Sequence, residues 1–372
     1  MTPTRAILCG GLILIAAVAV RTSAADTIRL RSGERIADRT VIFFDEDGLR
    51  LDPRPDAKLS GLRWDEVESA DIEAGKQAAF DRLLEDLGDP LFRIRWRLQV
   101  GDGDGLREPA EQVYARYRGR RSPAALLVAT AAMWGRLAAG EREAAVEPLL
   151  QIVEILRSGK ASTEDLPGER RLNVDAERAL SGDLLPVWFD AEAAKRALPE
   201  LLPTIRDMAQ PRPEGVRLYY GTLAAAAGDT ATAKQMLGEE QPADPLVAQL
   251  RTSAMAVLST ESESRRVAQT HLDSLRKDGE LLPTAAPLAL YALGISRTGS
   301  DDAALLRDGA LDLLEVAAVY PTGDRELAAA ALYQAAGALD KLKDSAGAAR
   351  VRRELKQRFR RSSHAAKAPA GN

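Results

Sequence analysis

The segment Gly221-Thr-Leu-Ala-Ala-Ala-Ala-Gly228-Asp229-Thr-Ala-Thr-Ala233 decides the fold. Gly221 and Ala233 are small residues twelve positions apart, with Gly228-Asp229 between them. A glycine followed by an aspartate ends one helix and caps the next. Small residues at this offset are expected where two consecutive helices approach closely. The segment therefore predicts two antiparallel helices joined by a tight turn.

The same spacing recurs further along the chain. Ala256 and Ala268 repeat the twelve-residue offset, as do Gly337 and Ala349. Through these small residues and turns, residues 213–361 resemble four tetratricopeptide-like hairpins, and residues 122–158 resemble an earlier one. The predicted fold is mainly α, an α-solenoid of such hairpins over residues 73–361. An α-solenoid of another kind remains the alternative.

The resemblance implies a concave groove that binds a protein or peptide segment. The first-helix positions that face this groove in the family map onto a mixed apolar and neutral set with a single charge. These are Thr130, Trp134, Leu218, Thr222, Ser253, Tyr291, Ile295, Gln334 and Lys341. Such a set would suit a hydrophobic or neutral segment better than an acidic one. The expected function is that of a non-catalytic scaffold or adaptor.

The pattern before residue 73 is that of β-strands. Val41–Phe44 is β-branched and aromatic, and Asp47-Gly48 supplies a turn. The Ser32-Gly33-Glu34 turn, Asp47-Gly48-Leu49 and Trp64-Asp65-Glu66-Val67 make residues 27–72 similar to SH3-like or Sm-like barrels. We therefore expect a small β-barrel-like module ahead of the solenoid, with a generic β-meander as the alternative.

The N-terminus has the layout of a secretory signal. Ala6–Val20 is an apolar run of 15 residues, preceded by Arg5 and followed by Arg21 and small residues. A bilayer-spanning helix needs about 20 apolar residues, so a cleaved signal over residues 1–24 is favoured over an uncleaved anchor. Cleavage would remove Cys9, the only cysteine. We expect an exported protein, periplasmic or secreted, of a bacterial envelope.

The composition excludes much catalytic chemistry. One cysteine and two histidines, His271 and His364, cannot form a disulfide scaffold or a Cys/His zinc cluster. The chain carries neither the H-E-x-x-H nor the G-x-S-x-G motif. We expect no enzyme activity and no cofactor, and an exported chain of net charge −4 is not expected to bind nucleic acid.

Residues 162–190 interrupt the helical pattern with little periodicity. Loops of this length inside a compact array are uncommon. Trp188-Phe189 either packs the loop onto the solenoid or presents an exposed binding tip. The alternative function is an envelope carbohydrate- or polymer-processing enzyme that uses carboxylates of this loop as acid and base, but no motif specifies such a pair, since Asp and Glu are scattered throughout the chain.

An acidic turn gives a weak calcium candidate. Asp102, Asp104 and Glu111 fit positions 3, 5 and 12 of a calcium-binding loop, but Val100 stands at position 1. An ordinary turn between helices is the favoured interpretation, and no metal is expected.

The last predicted helix is strongly basic. Between Arg350 and Lys367 there are eight basic residues and one acid. A buried stripe of Val351, Leu355 and Phe359 would leave a basic ridge of Arg352, Lys356 and Arg360 in water. The ridge is either a solubilising end cap or a surface for an acidic partner, an anionic envelope polymer or a membrane surface. Residues 362–372 are expected to be a disordered tail.

Overall fold

The computed structural model describes residues 26–53, 61–238, 241–259, 262–320 and 323–369. The predicted signal segment lies outside these ranges. Within them, no helix is both long enough and apolar enough to cross a bilayer.

The described part of the chain opens with six short strands, in the region where the sequence predicts a β module. They form two antiparallel sheets of three strands each, ordered β2-β1-β6 and β3-β4-β5. The strands are β1 Asp26–Leu30, β2 Arg35–Arg39, β3 Val41–Asp45, β4 Gly48–Leu51, β5 Gly61–Leu62 and β6 Val67–Asp71.

The β module shares its core with the first helix. Trp64 is fully buried, and its ring centre lies 5.2 Å from that of Phe80 and 6.4 Å from that of Phe44. The indole Nε1 of Trp64 donates to the backbone oxygen of Asp45 at 2.7 Å, so the polar atom of this buried ring is satisfied. The strands therefore pack against the helical array without an intervening linker.

The mainly helical prediction is confirmed by fourteen α-helices in the described ranges. They are α1 Ala74–Gln99, α2 Arg107–Tyr117, α3 Pro123–Ala138, α4 Val146–Arg157, α5 Ala191–Asp207, α6 Glu214–Ala226, α7 Thr230–Leu237, α8 Pro245–Leu258, α9 Ser262–Asp278, α10 Ala286–Thr298, α11 Ala303–Val319, α12 Arg325–Lys341, α13 Ser345–Arg358 and α14 Ser363–Lys367. Two further strands, β7 Val174–Asp175 and β8 Leu180–Ser181, pair between α4 and α5.

The helices from α6 onward form two layers. Each of α6, α8, α10 and α12 packs on the helix that follows it. These four also pack on one another in order, which makes them the inner layer. The outer helix α9 buries little more than Ala268 and Leu272 and is otherwise polar. This is the arrangement of stacked helical hairpins.

Helix α1 continues through Pro90, where the sequence predicts that it ends. Proline removes one helical hydrogen bond and crowds the preceding turn. In α1 the apolar face formed by Leu87, Leu91, Ile94 and Leu98 is buried on both sides of this position, and Pro90 itself is buried. Burial of this continuous face offsets the cost of the proline.

The predicted close approach at Gly221 is confirmed. A Cβ on Gly221 would lie 2.7 Å from Cγ of Leu237, on the helix that contains Ala233. The equivalent prediction for Gly337 is wrong, because this glycine is exposed and a Cβ there would meet nothing within 4 Å. Ala336 and Ala348, each one position earlier and also twelve residues apart, are both buried, so the repeat register is shifted there by one position.

The predicted disordered tail is also wrong over the part that the structure describes. Helix α14 lies within it, with Ser362 accepting the backbone N–H of His364 as its N-cap. His364, Ala365 and Ala368 are buried against the array. One buried face on so short a segment gives no readable period, which is why the sequence pattern did not reveal it.

Replacing Gly221 with Leu should lower the free energy of unfolding by roughly 1–3 kcal/mol, because the new side chain overpacks α6 against α7. Gly337→Ala is the matched control. It should raise the free energy of unfolding by about 0.5–1 kcal/mol, since alanine is the better helix former where space is free. Urea denaturation measures both, and equal effects at the two sites would contradict the register assigned here.

Candidate functional site

The second half of residues 162–190, a segment here called the strap, is buried against α3, α6 and α10. Trp134 Nε1 donates to Oδ2 of Asp183 at 3.0 Å, and Trp188 Nε1 donates to Oγ1 of Thr222 at 3.0 Å. The ring of Phe189 lies 6.0 Å from that of Tyr291. Three of the predicted groove residues thus contact the chain's own strap. The expectation of an open groove is therefore wrong.

The remaining predicted groove residues also lie on inner helices or their ends. Thr130, Leu218 and Ser253 are buried, and the Ser253 hydroxyl donates to its own helix. Ile295 and Gln334 are half-buried. Lys341 is exposed at the end of α12, where its Nζ donates to the backbone oxygen of Thr298 at 2.7 Å. The predicted groove positions therefore do lie on inner helices. Most of their side chains are buried, however, and cannot contact a partner.

The strap is held by close backbone packing as well as by its aromatic side chains. Tyr219 receives the backbone N–H of Ser181 at 3.3 Å and donates its hydroxyl to the backbone oxygen of Leu184. At Gly215 a Cβ would lie 2.2 Å from the backbone oxygen of Arg178, so only glycine allows this approach. Of the two alternatives for Trp188, packing onto the solenoid is the one observed, since that residue is 5% exposed.

A buried ion pair, here called the closure pair, joins the two ends of the array. Arg142 precedes α4, and Asp324 caps the N-terminus of α12, 182 residues later. Arg142 Nη1 lies 2.6 Å from Oδ1 of Asp324, and both side chains are at most 2% exposed. Burial by itself lowers the pKa of the guanidinium, but the adjacent carboxylate of Asp324 holds this pKa above its ordinary value.

The closure pair also fixes the strap. The guanidinium of Arg142 donates to the backbone oxygens of Val187, at 2.7 Å, and Leu185. In return, the backbone N–H of Leu185 donates to Asp324 Oδ2 at 2.9 Å. Both charges are therefore paired and hydrogen-bonded, as burial in a low-dielectric interior requires. Sequence reasoning missed this pair, because no periodic pattern links two residues so far apart.

The ends of the array leave a cleft of about 480 Å³ beside the closure pair, here called the closure cleft. Arginines from the strap and from α12, α13 and the turn after α13 line its walls. These arginines are Arg170, Arg325, Arg358, Arg360 and Arg361. Arg361 pairs with Asp104 at 2.5 Å, and so adds a second ionic link between the early and the late helices of the array.

Two carboxyl groups that line the cleft titrate abnormally. Burial raises the pKa of Asp183 above its usual range, against the opposing effect of Arg170. Burial likewise raises the pKa of Glu326, although hydrogen bonds from Ser362 and Ser363 oppose this. Perturbed carboxyls in a cleft are a common property of active sites, but ion-pair networks produce them as well.

The calcium candidates do not converge. Asp102 pairs with Arg97, Asp104 pairs with Arg361, and Glu111 forms a two-point pair with Arg136 at 2.7 and 3.1 Å. Because a different arginine holds each carboxylate, the three do not form a calcium shell. Within the described ranges, no three His, Cys, Asp or Glu side chains are placed to share a metal ion.

The basic ridge has a different composition from the one predicted. Val351, Leu355 and Phe359 are buried as expected. Arg352, however, is only 18% exposed in its side chain and pairs with Asp340 of α12. Its expected exposure to water is therefore wrong, because the preceding helix supplies an acid that faces it.

The exposed cations of this end form another row. Lys356 and Arg360 remain exposed, and Arg350 and Arg353 lie with them on the outer side of α13. Within the described ranges, no carboxylate pairs with Arg350, Arg353 or Arg360, and Lys356 Nζ donates only to the backbone oxygen of Pro369 at 3.0 Å. We call Arg350, Arg353, Lys356 and Arg360 the basic row.

Comparison with known proteins gives no relative: no protein-family model, curated protein or solved structure matches this chain.

Replacing Arg142 with Met should lower the free energy of unfolding by roughly 3–5 kcal/mol, because Asp324 is then left buried without its partner charge. The double variant Arg142→Met, Asp324→Leu should be less destabilised than the sum of the two single changes. Chemical denaturation of the four proteins measures this coupling.

The surface pair of Arg266 and Glu263 provides the control, since both of its side chains are 70% exposed. Arg266→Met should leave stability nearly unchanged. Additive effects of the Arg142 and Asp324 changes would contradict the role assigned to the closure pair.

Proposed function

We propose that this chain is an exported, non-catalytic scaffold or adaptor of a bacterial envelope. Its stacked hairpins would be of the tetratricopeptide-like kind, and its N-terminal strands would form an SH3-like module. Since the strap occupies the concave side, the partner binds on the outside of the array. The observation that carries the proposal is the basic row of α13, a set of exposed cations in a chain of net charge −4.

Export is proposed from residues 1–24, whose charged start, 15-residue apolar run and small residues match a cleaved signal. N-terminal sequencing of the protein from an envelope fraction should begin at Ala25. Recovery with Met1 intact would contradict cleavage.

The partner that fits the basic row best is an acidic segment of another protein. The row covers the second half of α13 and the turn after it, and its helical part from Arg350 to Arg358 is about 12 Å long. That length matches a short linear segment. A flat anionic membrane would approach much more of the surface, and an acidic protein is repelled by such a surface over most of its area. The exposed ion pairs that form would be screened by salt over about 8 Å at physiological ionic strength.

Changing Arg353, Lys356 and Arg360 to Gln should abolish binding of poly-glutamate, measured by anisotropy from low to high salt. The control changes Arg206, Lys277 and Arg307 to Gln, which removes the same charge from exposed positions on α5, α9 and α11. The control should bind as the unchanged protein does.

Equal loss in both triple variants would show a general charge effect and contradict a site on α13. Phosphatidylglycerol vesicles test the other class of partner. Binding to these vesicles without binding to poly-glutamate would replace the acidic protein segment with a membrane surface.

A polymer-processing enzyme is the second candidate, and the raised pKa of Asp183 in the closure cleft favours it. A general acid needs a pKa near the working pH and access to its substrate. Asp183 is 8% exposed, and Trp134 and Arg170 already donate to its carboxylate. Incubation with purified cell-wall polysaccharide should therefore give no cleavage. Cleavage that Asp183→Asn abolishes in the folded protein would establish the enzyme.

A further inference from the structure

The C-terminal segment, residues 362–369, is attached to the array through one buried histidine. The His364 side chain is 8% exposed and lies between two aromatic rings. Its ring centre is 4.9 Å from that of Phe189 in the strap and 5.7 Å from that of Tyr333 in α12. The segment therefore covers the point where the strap meets the last inner helix.

Neither ring nitrogen of His364 has a hydrogen-bond partner. The charged groups that face the ring are Glu326 of α12, Lys367 of α14 and Arg142 before α4. Glu326 Oε1 lies 3.8 Å from His364 Nε2, beyond hydrogen-bond distance, and instead accepts from the hydroxyls of Ser362 and Ser363 at 2.8 and 3.0 Å. The site suits an uncharged imidazole that acts as an aromatic ring.

We propose that residues 362–369 form a latch that acid releases, with His364 as its proton sensor. A proton on the ring places a buried cation near two other cations, while the facing carboxylate of Glu326 lies beyond hydrogen-bond distance. Release transfers the imidazolium to water and separates it from Arg142. In an exported protein, as proposed above, acid in the surroundings would reach this site directly.

The direction of the effect follows from linkage. Burial, with smaller contributions from Lys367 and Arg142, lowers the pKa of His364 to about 4. In the released segment the pKa returns to about 6.5. Docking is therefore fully favourable above the released pKa and weakens as the pH falls from there toward 4. Between pH 7.5 and pH 5 the titration of His364 alone would raise the ratio of released to docked segment about 30-fold.

Glu326 titrates in the opposite sense. Burial raises the pKa of Glu326, so this carboxyl takes up a proton at a higher pH than an exposed glutamate does. Its protonation by itself favours the docked state in acid, which opposes the effect of His364. The acid response of the segment is therefore the net effect of His364 and Glu326. Replacing Glu326 with Gln leaves only the effect of His364.

Release would change the surface of the array. It uncovers Phe189 and Tyr333, and it frees Lys356 from the backbone oxygen of Pro369. Lys356 of the basic row would then lose its hydrogen bond to the segment in acid. The latch itself needs no partner, so it can be tested apart from the proposed scaffold function.

Amide hydrogen exchange of residues 362–369 in the full chain, corrected for the intrinsic pH dependence of exchange, measures release from pH 7.5 to 4.5. Local protection of this segment should fall with acid while the protection of α10 and α12 is retained. His364→Phe should keep the segment protected throughout, because phenylalanine preserves the ring contacts and cannot bind a proton. Glu326→Gln should retain or strengthen the response.

The only other histidine supplies the matched control. His271 is exposed on α9, and His271→Phe should leave the acid response of the segment unchanged. Acid release that persists in His364→Phe would overturn the proposal, as would full protection at pH 4.5 in the unchanged protein. Loss of the response in Glu326→Gln would show that the response does not come from His364 alone and would also overturn it. If His364→Phe fails to fold, the ¹³C-resolved titration of the two histidines decides, since a His364 pKa near 6.5 contradicts a buried sensor.

Discussion

A guanidinium and a carboxylate that lie 182 residues apart in the chain hold the two ends of the helical array together. Moving both charges out of water raises the free energy of the folded state. Their mutual attraction offsets this desolvation only when their geometry and hydrogen bonds are complete. Arg142 and Asp324 meet that condition through each other and through the backbone of Leu185 and Val187. An array whose ends stayed apart would leave both groups in water. The pair therefore favours one closed arrangement over a range of open ones.

The strap that the closure pair holds in place determines which surfaces of the molecule are available for binding. The strap supplies a carboxylate to α3, an indole to α6 and a phenyl ring to α10, at positions that a ligand would otherwise contact. Because the chain buries its own segment there, the apolar inner layer is satisfied without a partner. What remains for recognition is the outer surface and the cleft at the closure. The charges of these regions determine which partners they can accept.

The C-terminal end shows how tertiary neighbours change the meaning of a charged residue. Arg352 and Arg353 are adjacent in a basic helix, but Asp340 neutralises only Arg352. The two histidines differ in the same way: His271 faces water, whereas His364 is enclosed by Phe189 and Tyr333. The residue type determines which interactions a side chain can make. Its neighbours in the fold determine whether it forms an ion pair, packs in the core or stays available for binding.

The sequence by itself determined the features that depend on local pattern. Period-2 segments marked the strands, the offset from Gly221 to Ala233 marked a helical hairpin, and the spacing of Val351, Leu355 and Phe359 marked the buried face of α13. These signals are readable because neighbours in a helix or strand are neighbours in sequence. Only the tertiary structure decided that the strap fills the groove, that α1 runs through Pro90 and that the last residues dock. Each of these depends on contacts between distant segments, whose free energy comes from burial and charge pairing that no local pattern records.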